Sequence, residues 1–245
     1  MKSNDITAVV LTKNEEAIIA RCLTCLSFCK KRIVIDDYST DETVKRAKAA
    51  GATIYRSHLE KNFAKQRNFA LTKVKTPWVF FVDADEVVSD ALRTEIIAST
   101  TIDGISGYYI LRRDVFNKKI LLHGEWGNAH LLRLGKTKAG KWKNSVHEVW
   151  NIKGNTSRLS NPLYHYSHKS IESFLSSILI YSHIHGTKKR NKNKPIIHSI
   201  VYPVAKFVNN YIVRLGFLDG IEGLIYSSFM SLHSFLAWNR YYENK

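Results

Sequence analysis

An α/β fold is predicted, with a mostly parallel, Rossmann-like sheet flanked by helices and a helical C-terminal extension. Three observations predict it. Short apolar runs alternate with helix-length segments from Ile6 to about Ser106, and such alternation means βαβ units and a parallel sheet. One run, Trp78-Val79-Phe80-Phe81-Val82, is apolar without a break, as in a strand buried on both faces. After Pro162 the composition shifts to long apolar stretches at helical spacing.

The elements follow in order. Ile6 to Leu11 is a strand, and Thr12-Lys13-Asn14-Glu15-Glu16 turns it into a helix that Asn14 is expected to cap. Cys22, Cys25 and Cys29 are spaced as one face of that helix among Leu23, Leu26 and Phe28. With no fourth cysteine in the chain, core packing is preferred over a metal or iron–sulfur site. Arg32 to Asp36 is the second strand, ending in the polar turn Asp37-Tyr38-Ser39-Thr40-Asp41-Glu42-Thr43. Gly51 holds a helix C-cap position before a third strand, Ala52 to Arg56. Asn62 to Ala70 is a helix carrying Lys65, Gln66, Arg67 and Asn68, and the buried strand follows.

That strand ends in Asp83-Ala84-Asp85-Glu86. A buried parallel strand delivers its last residues to the carboxyl edge of the sheet, where open α/β folds bind ligands. On extended backbone Asp83 and Asp85 point the same way and can converge on one target. Two carboxylates that close repel unless a cation lies between them, and hard divalent cations prefer oxygen ligands. The plainer alternative is that one of them caps the helix beginning near Ser89.

Beyond Ser106 two strands, Gly107 to Leu111 and Ala129 to Leu134, flank the loop His123-Gly124-Glu125-Trp126-Gly127. Lys141 to Trp150 is a polar-aromatic stretch. Tyr164-His165-Tyr166-Ser167-His168 leads into a helix from Ser170 to about His185, followed by the basic run Lys188 to Lys194. Ile197, Ile200, Val201, Val204, Phe207, Val208, Tyr211, Ile212 and Leu215 then recur at helical spacing, with Pro203 as an expected kink. The longest charge-free segment, Gly223 to Asn239, has 17 residues, four of them serine. That is short of the ~20 apolar residues of a spanning helix. A helix pair lying in the membrane interface beside a lipid-attracting basic run is preferred over simple packing on the catalytic part.

The chain has 245 residues, enough for one substantial domain and an appendage. With 44% hydrophobic and 11% aromatic residues it is a folded protein rather than a disordered one. Its 37 Lys+Arg against 21 Asp+Glu leave a formal charge of +16. That surplus suits nucleic acid, an anionic membrane or a phosphorylated substrate, and charge does not choose among them. The basic run adjoins membrane-like helices and no nucleic-acid-binding motif is present, so no nucleic-acid partner is expected. Met1 to Asp5 leads straight into a strand-like run without a recognisable signal peptide, so the catalytic part is expected in the cytoplasm.

Three blocks carry a family resemblance. Val9-Val10-Leu11-Thr12-Lys13-Asn14-Glu15-Glu16, Val34 to Thr43 and Phe81-Val82-Asp83-Ala84-Asp85-Glu86 resemble, in order and spacing, the signature of family 2 glycosyltransferases. These are inverting enzymes with the GT-A nucleotide-sugar fold. Lys65-Gln66-Arg67-Asn68 and Val146-His147-Glu148 further resemble bacterial lipopolysaccharide-core glucosyltransferases, and Leu215 to Gly220 is similar to that subgroup's tail. The resemblance implies a catalytic domain over residues 1–165, with a nucleotide-sugar-binding half (1–105) and an acceptor-side half (106–165). Residues 166–245 form the basic, helical, membrane-associating region.

The resemblance also assigns roles. Asp37 meets the nucleotide base, and a carboxylate accepts the imide N–H of uracil, favouring UDP. Thr12 and Glu15 border the same base and ribose. Arg67 supports the diphosphate or the base loop, Asp83 holds the ribose or a metal-bound water, and Asp85 with Asp83 binds Mn2+ or Mg2+. For Thr12 and Arg67 a purely structural role stays open. Glu148 is the expected general base, with Glu125 as fallback, and an arginine-paired structural carboxylate is the alternative for Glu148. Tyr38 departs from the glycine usual at its position, so a differently shaped turn is expected. The function implied is metal-dependent, single-displacement transfer of a hexose, with glucose expected, from a UDP-sugar to a lipopolysaccharide inner-core hydroxyl. It would act peripherally on the inner face of the bacterial inner membrane. A capsule or polyprenyl-phosphate-linked acceptor and, in a different class, a basic nucleic-acid-binding protein are the alternatives.

Overall fold

A computed structural model describes residues 5–60, 62–127, 129–144, 148–168, 170–188 and 198–243. His147 and Lys189 to Lys194 lie outside the described residues. The strands are β1 (Ile6–Thr12), β2 (Lys31–Asp36), β3 (Thr53–Arg56), β4 (Trp78–Asp83), β5 (Glu86–Val88), β6 (Ile105–Phe116), β7 (Lys119–Ile120), β8 (Ala129–Lys136), β9 (Gly140–Lys143), β10 (Val149–Ile152), β11 (Asn155–Arg158) and β12 (Leu163–His168). The α-helices are α1 (Ile19–Cys25), α2 (Thr43–Ala49), α3 (Phe63–Lys73), α4 (Asp90–Ser99), α5 (Ile171–Lys188), α6 (His198–Val208) and α7 (Gly220–Glu243). The chain forms two compact units, one of Met1–Arg112 with His130–His165, the other of Arg113–Ala129 with Tyr166–Lys245.

The first unit is the expected α/β structure. Its sheet runs β3-β2-β1-β4-β8-β6-β12-β5, with β11 also paired to β6; β7 pairs with the last residues of β6, which belong to the second unit. β3, β2, β1 and β4 are mutually parallel, and β8 lies antiparallel to β4. Every residue of β1 is buried, and Val79, Phe80, Phe81 and Val82 of β4 are wholly so. Alternate residues face opposite layers: Ile6, Ala8, Val10, Phe80 and Val82 join α1 and α4 in one core, and Val9, Leu11, Val79 and Phe81 join α3 in another. Burial of β-branched and aromatic side chains on both faces stabilises this central strand pair, and no single helix face does so alone.

Several local expectations are corrected. Asn14 does not cap α1, which starts at Ile19 without a side-chain cap. Its Oδ1 instead accepts the Thr40 N–H at 2.9 Å, which joins two loops. α1 ends at Cys25, so Cys29 lies beyond the helix, although Cys22 and Cys29 are buried free thiols as expected. The segment leading into α5 is strand β12, paired antiparallel to β5 with His165 opposite Glu86. The polar-aromatic stretch is a hairpin of β9 and β10, in which Trp142 faces Trp150.

The second unit packs α5 and α6 against α7. Its core gathers Phe116, Leu121, Trp126, Phe174, Ile178 and Tyr226, and the Tyr226 hydroxyl donates to buried Asp114 at 2.6 Å. Asp219 accepts the Leu122 and His123 N–H groups, which fixes the loop before Trp126. Pro203 lies within α6; the helical irregularity comes six residues later, where Asn209–Val213 widens into a π-helix. No helix among the described residues is long and apolar enough to cross a membrane.

Candidate active site

Three strands end side by side. Thr12 stands opposite Asp36 and Leu11 opposite Asp83, so β1, β2 and β4 deliver their carboxyl ends to one edge of the sheet. The loops leaving β1 and β2 are then joined by side chains. Asn14 N–H donates to Ser39 Oγ at 2.9 Å, Glu15 N–H to Thr43 Oγ1 at 2.7 Å and Glu16 N–H to Asp41 Oδ2 at 3.1 Å. In return Glu16 Oε2 accepts Glu42 N–H at 2.9 Å. Polar loop residues thus satisfy each other's backbone and hold the wall of the site rigid.

Asp37 lies just past β2 and is buried. Lys13 Nζ donates to its Oδ2 at 2.9 Å and the Leu59 N–H to its Oδ1 at 3.0 Å. Burial alone would raise its pKa, but these two donors prevail and hold it below the ordinary carboxylate value. The neighbouring Tyr38 adopts φ +54°, the left-handed conformation a glycine takes readily, so the turn keeps a glycine-like shape. Its ring stacks on His58 at 3.9 Å. Thr12 is buried with no hydrogen-bond partner for its Oγ1. Glu15 is half-buried at the start of the same loop.

The end of β4 is an ion-pair network. Asp83 accepts from Arg67 at 3.1 Å and, on its other oxygen, from Arg133. Arg133 also reaches Glu86 Oε1 at 3.2 Å, and Glu86 Oε2 accepts the Asp83 N–H at 2.9 Å. Burial works against the Asp83 carboxylate, yet Arg133 and Arg67 overcome it and hold its pKa well below the usual range. For Glu86 the burial prevails over Arg133, and its pKa is raised. Ser89, not either aspartate, caps α4 by accepting the Leu92 N–H. Asp85 is thus left for another partner, and His165 Nε2 lies 3.3 Å from its Oδ2.

Arg67 ties this network to the far side of the site. Its guanidinium, buried on α3, bonds Glu148 Oε1 at 3.1 Å as well as Asp83. Trp142 underlies it at 4.6 Å, and Asn68 holds the Trp142 backbone by two 2.9 Å hydrogen bonds. Burial lowers the Arg67 pKa, only partly opposed by Asp83, yet a guanidinium stays protonated. Its Nε and Nη1 are buried without a hydrogen-bond partner. Glu148 therefore has the arginine partner of its structural alternative, and the same bond brings it to the Asp-x-Asp end of β4. Glu125 belongs to the second unit, where Lys206 bonds it and both line a cleft of about 670 Å3.

Arg133, Glu86 and His165 are the residues sequence reasoning did not assign to the site. Tyr164-His165-Tyr166-Ser167 has the two-residue alternation of a strand, a signal that could have placed His165 beside the end of β4. No group of three or more metal-ligating side chains is present among the described residues. Asp85 and His165 offer one oxygen and one nitrogen donor, a pair that could hold a divalent ion.

The model of the family described as "Glycosyl transferase family 2" matches residues 7–146, more than half of the chain. An uncharacterized glycosyltransferase of Rickettsia typhi is 28% identical over 250 residues, covering 94% of this chain and 84% of its own. The lipopolysaccharide core biosynthesis glycosyltransferase LpsC of Rhizobium meliloti is 26% identical over 257 residues, covering 97% of this chain and 92% of its own. Glucosyl-3-phosphoglycerate synthase from Mycobacterium tuberculosis, solved with Mn2+, UDP and glucosyl-3-phosphoglycerate, has a TM-score of 0.40 at 24% identity, over 44% of each chain.

Proposed function

The chain belongs to glycosyl transferase family 2, and we propose that it moves a hexose, glucose in our reading, from a UDP-sugar to a hydroxyl of a lipopolysaccharide inner-core sugar, with inversion. The observation that carries this reading is the double engagement of Arg67. One buried guanidinium joins Asp83 at the end of β4 to Glu148, so a donor-side carboxylate and a candidate base share one site. The printed name of LpsC supports the acceptor class.

Each residue then has a task. Asp37, held below the ordinary carboxylate value by Lys13 and the Leu59 N–H, accepts the uracil imide N–H, and Thr12 Oγ1 and the Glu15 loop border the base and ribose. The Arg67 guanidinium supports the diphosphate through its charge. Asp85 and His165 would hold a divalent ion, Mn2+ fitting this mixed donor pair better than Mg2+. Such an ion, when bound, stabilises negative charge on the departing diphosphate. Asp83, with both oxygens engaged by guanidinium groups, orients Arg67 and Arg133 and borders the ribose; a share in the metal requires one of those bonds to yield. Glu148 takes the proton of the acceptor hydroxyl while its oxygen forms the new bond to the anomeric carbon and the bond to UDP breaks. One displacement inverts the anomeric centre.

The test is transfer from UDP-glucose to deacylated inner-core oligosaccharide. Glu148→Gln should lower kcat by about 10^2- to 10^4-fold with KM for the donor unchanged. Unchanged turnover in that variant, or equal use of ADP-glucose by the wild type, would contradict the assignment.

A further inference from the structure

The amphipathic helix α6 faces the wrong way for a helix in water. Its buried positions are Ser199 and Pro203, continued by Asn210 in the π turn. The other side carries Ile200, Val204, Val208 and Ile212 at every fourth residue, with Ile200 64% and Val204 57% exposed. Val213, Leu215, Phe217, Leu218 and Ile221 extend this apolar surface through the following turn into α7, all of them exposed. A helix that packs for core burial turns its apolar stripe inward. Here the orientation is held by stacking of Tyr202 on Trp238 at 4.7 Å and by polar contacts. Asn210 Oδ1 accepts the Glu125 N–H at 3.2 Å, and Ser231 Oγ donates to the Pro203 carbonyl at 2.8 Å.

A contiguous apolar surface of this kind marks an interaction site. We propose that this face docks the chain on an anionic bilayer by shallow insertion of its apolar side chains among the headgroups. The proposal rests on the membrane-linked acceptor reading above. Charge selects the occupant. The chain carries +16, Arg214 lies on this stretch beside a Lys206 that pairs with Glu125, and the basic run Lys188 to Lys194 precedes it in sequence. A second copy would bring the same charge against it, whereas anionic headgroups bring the opposite one. With no helix among the described residues long enough to span, the contact is one of lying on the surface. The apolar face, rather than the basic run alone, then supplies the holding interaction.

The test is co-sedimentation of the full chain with phosphatidylethanolamine–phosphatidylglycerol vesicles at about 0.1 and about 0.5 M salt, where screening differs. Val204→Asp and Ile212→Asp should each lower the vesicle-bound to free ratio about tenfold or more, the transfer value of one such side chain. Ile102→Asp, at an exposed apolar position of the first unit, should not change it, and wild type should stay partly bound at the higher salt. Full binding by the Val204→Asp/Ile212→Asp double variant, or complete release of wild type by salt, would overturn the proposal. So would a wild-type dimer in sedimentation velocity that the double variant abolishes. UDP binding on the same samples reads the transferase assignment separately. Variants that leave the vesicles yet still bind UDP support both, whereas vesicle binding without any UDP binding sinks only the transferase.

Discussion

Phe80 and Val204 come from apolar stretches that look alike in the chain, yet Phe80 is wholly buried and Val204 is 57% exposed. In the first unit apolar residues lie inside, and the charged groups that do go inside, Asp36, Asp37, Arg67, Glu86 and Arg133, each have an oppositely charged partner. In the second unit α6 keeps Ser199 and Pro203 inside and its isoleucine and valines outside. Periodicity reveals that a helix has two faces; it does not say what covers each one. The neighbouring charges do, because a basic chain with a bare apolar face is suited to an anionic, apolar surface.

The largest expected effects lie where the first unit buries most. Phe80→Ala should cost about 3–5 kcal/mol in a urea titration. Arg133→Ala should cost a similar amount, about 3–5 kcal/mol, because it strands Asp83 and Glu86 without their shared partner. A loss below about 1 kcal/mol in either would mean that burial and pairing are not what hold β4 in place. Smaller, and confined to the ligand, is Asp37→Asn. It replaces a charged acceptor with a neutral one and should weaken UDP binding about 10- to 100-fold by calorimetry. Unaltered affinity would remove Asp37 from the base site.

Asp37 also carries a pH signature. Its folded pKa is depressed by Lys13 and Leu59, which outweigh burial. A depressed carboxylate adds stability that is complete above its unfolded value, near 3.8, and is lost as pH falls through the lower folded value. The stability difference between wild type and Asp37→Asn should therefore be flat over roughly pH 5 to 8 and shrink only below about pH 4. A difference that changes around neutrality would contradict the sign. The smallest effect closes the comparison. Val204→Ala should move stability by no more than ~0.5 kcal/mol, and a core-sized loss there would return α6 to ordinary packing.

What was legible in the chain was local. β1, β2 and β4 could be read because each is a short apolar run, and Asp37 and Asp83 because they sit where such runs stop. Arg133 could not be assigned to Asp83, since the pair is 50 residues apart and depends on β8 lying against β4. His165 needed the antiparallel pairing of β12 with β5, a contact no local pattern specifies. Asn14 was misjudged for a different reason: at φ +54° it sits in a turn, and its side chain finds the Thr40 N–H before any helix begins. The second unit was readable as helices but not as an arrangement, because its inward polar residues are chosen by tertiary hydrogen bonds.

On the proposed function, the carboxyl edge of β1, β2 and β4 is a metal-assisted UDP site. Thermal unfolding with UDP, with and without Mn2+, on wild type and Asp85→Ala tests it most directly. At a hundredfold excess over Kd the nucleotide should add ~2.7 kcal/mol, a rise in Tm of roughly 5 to 10 °C. That rise should depend on Mn2+, fail with ADP and vanish in Asp85→Ala. No shift with any nucleotide, or an equal shift in Asp85→Ala, would contradict it.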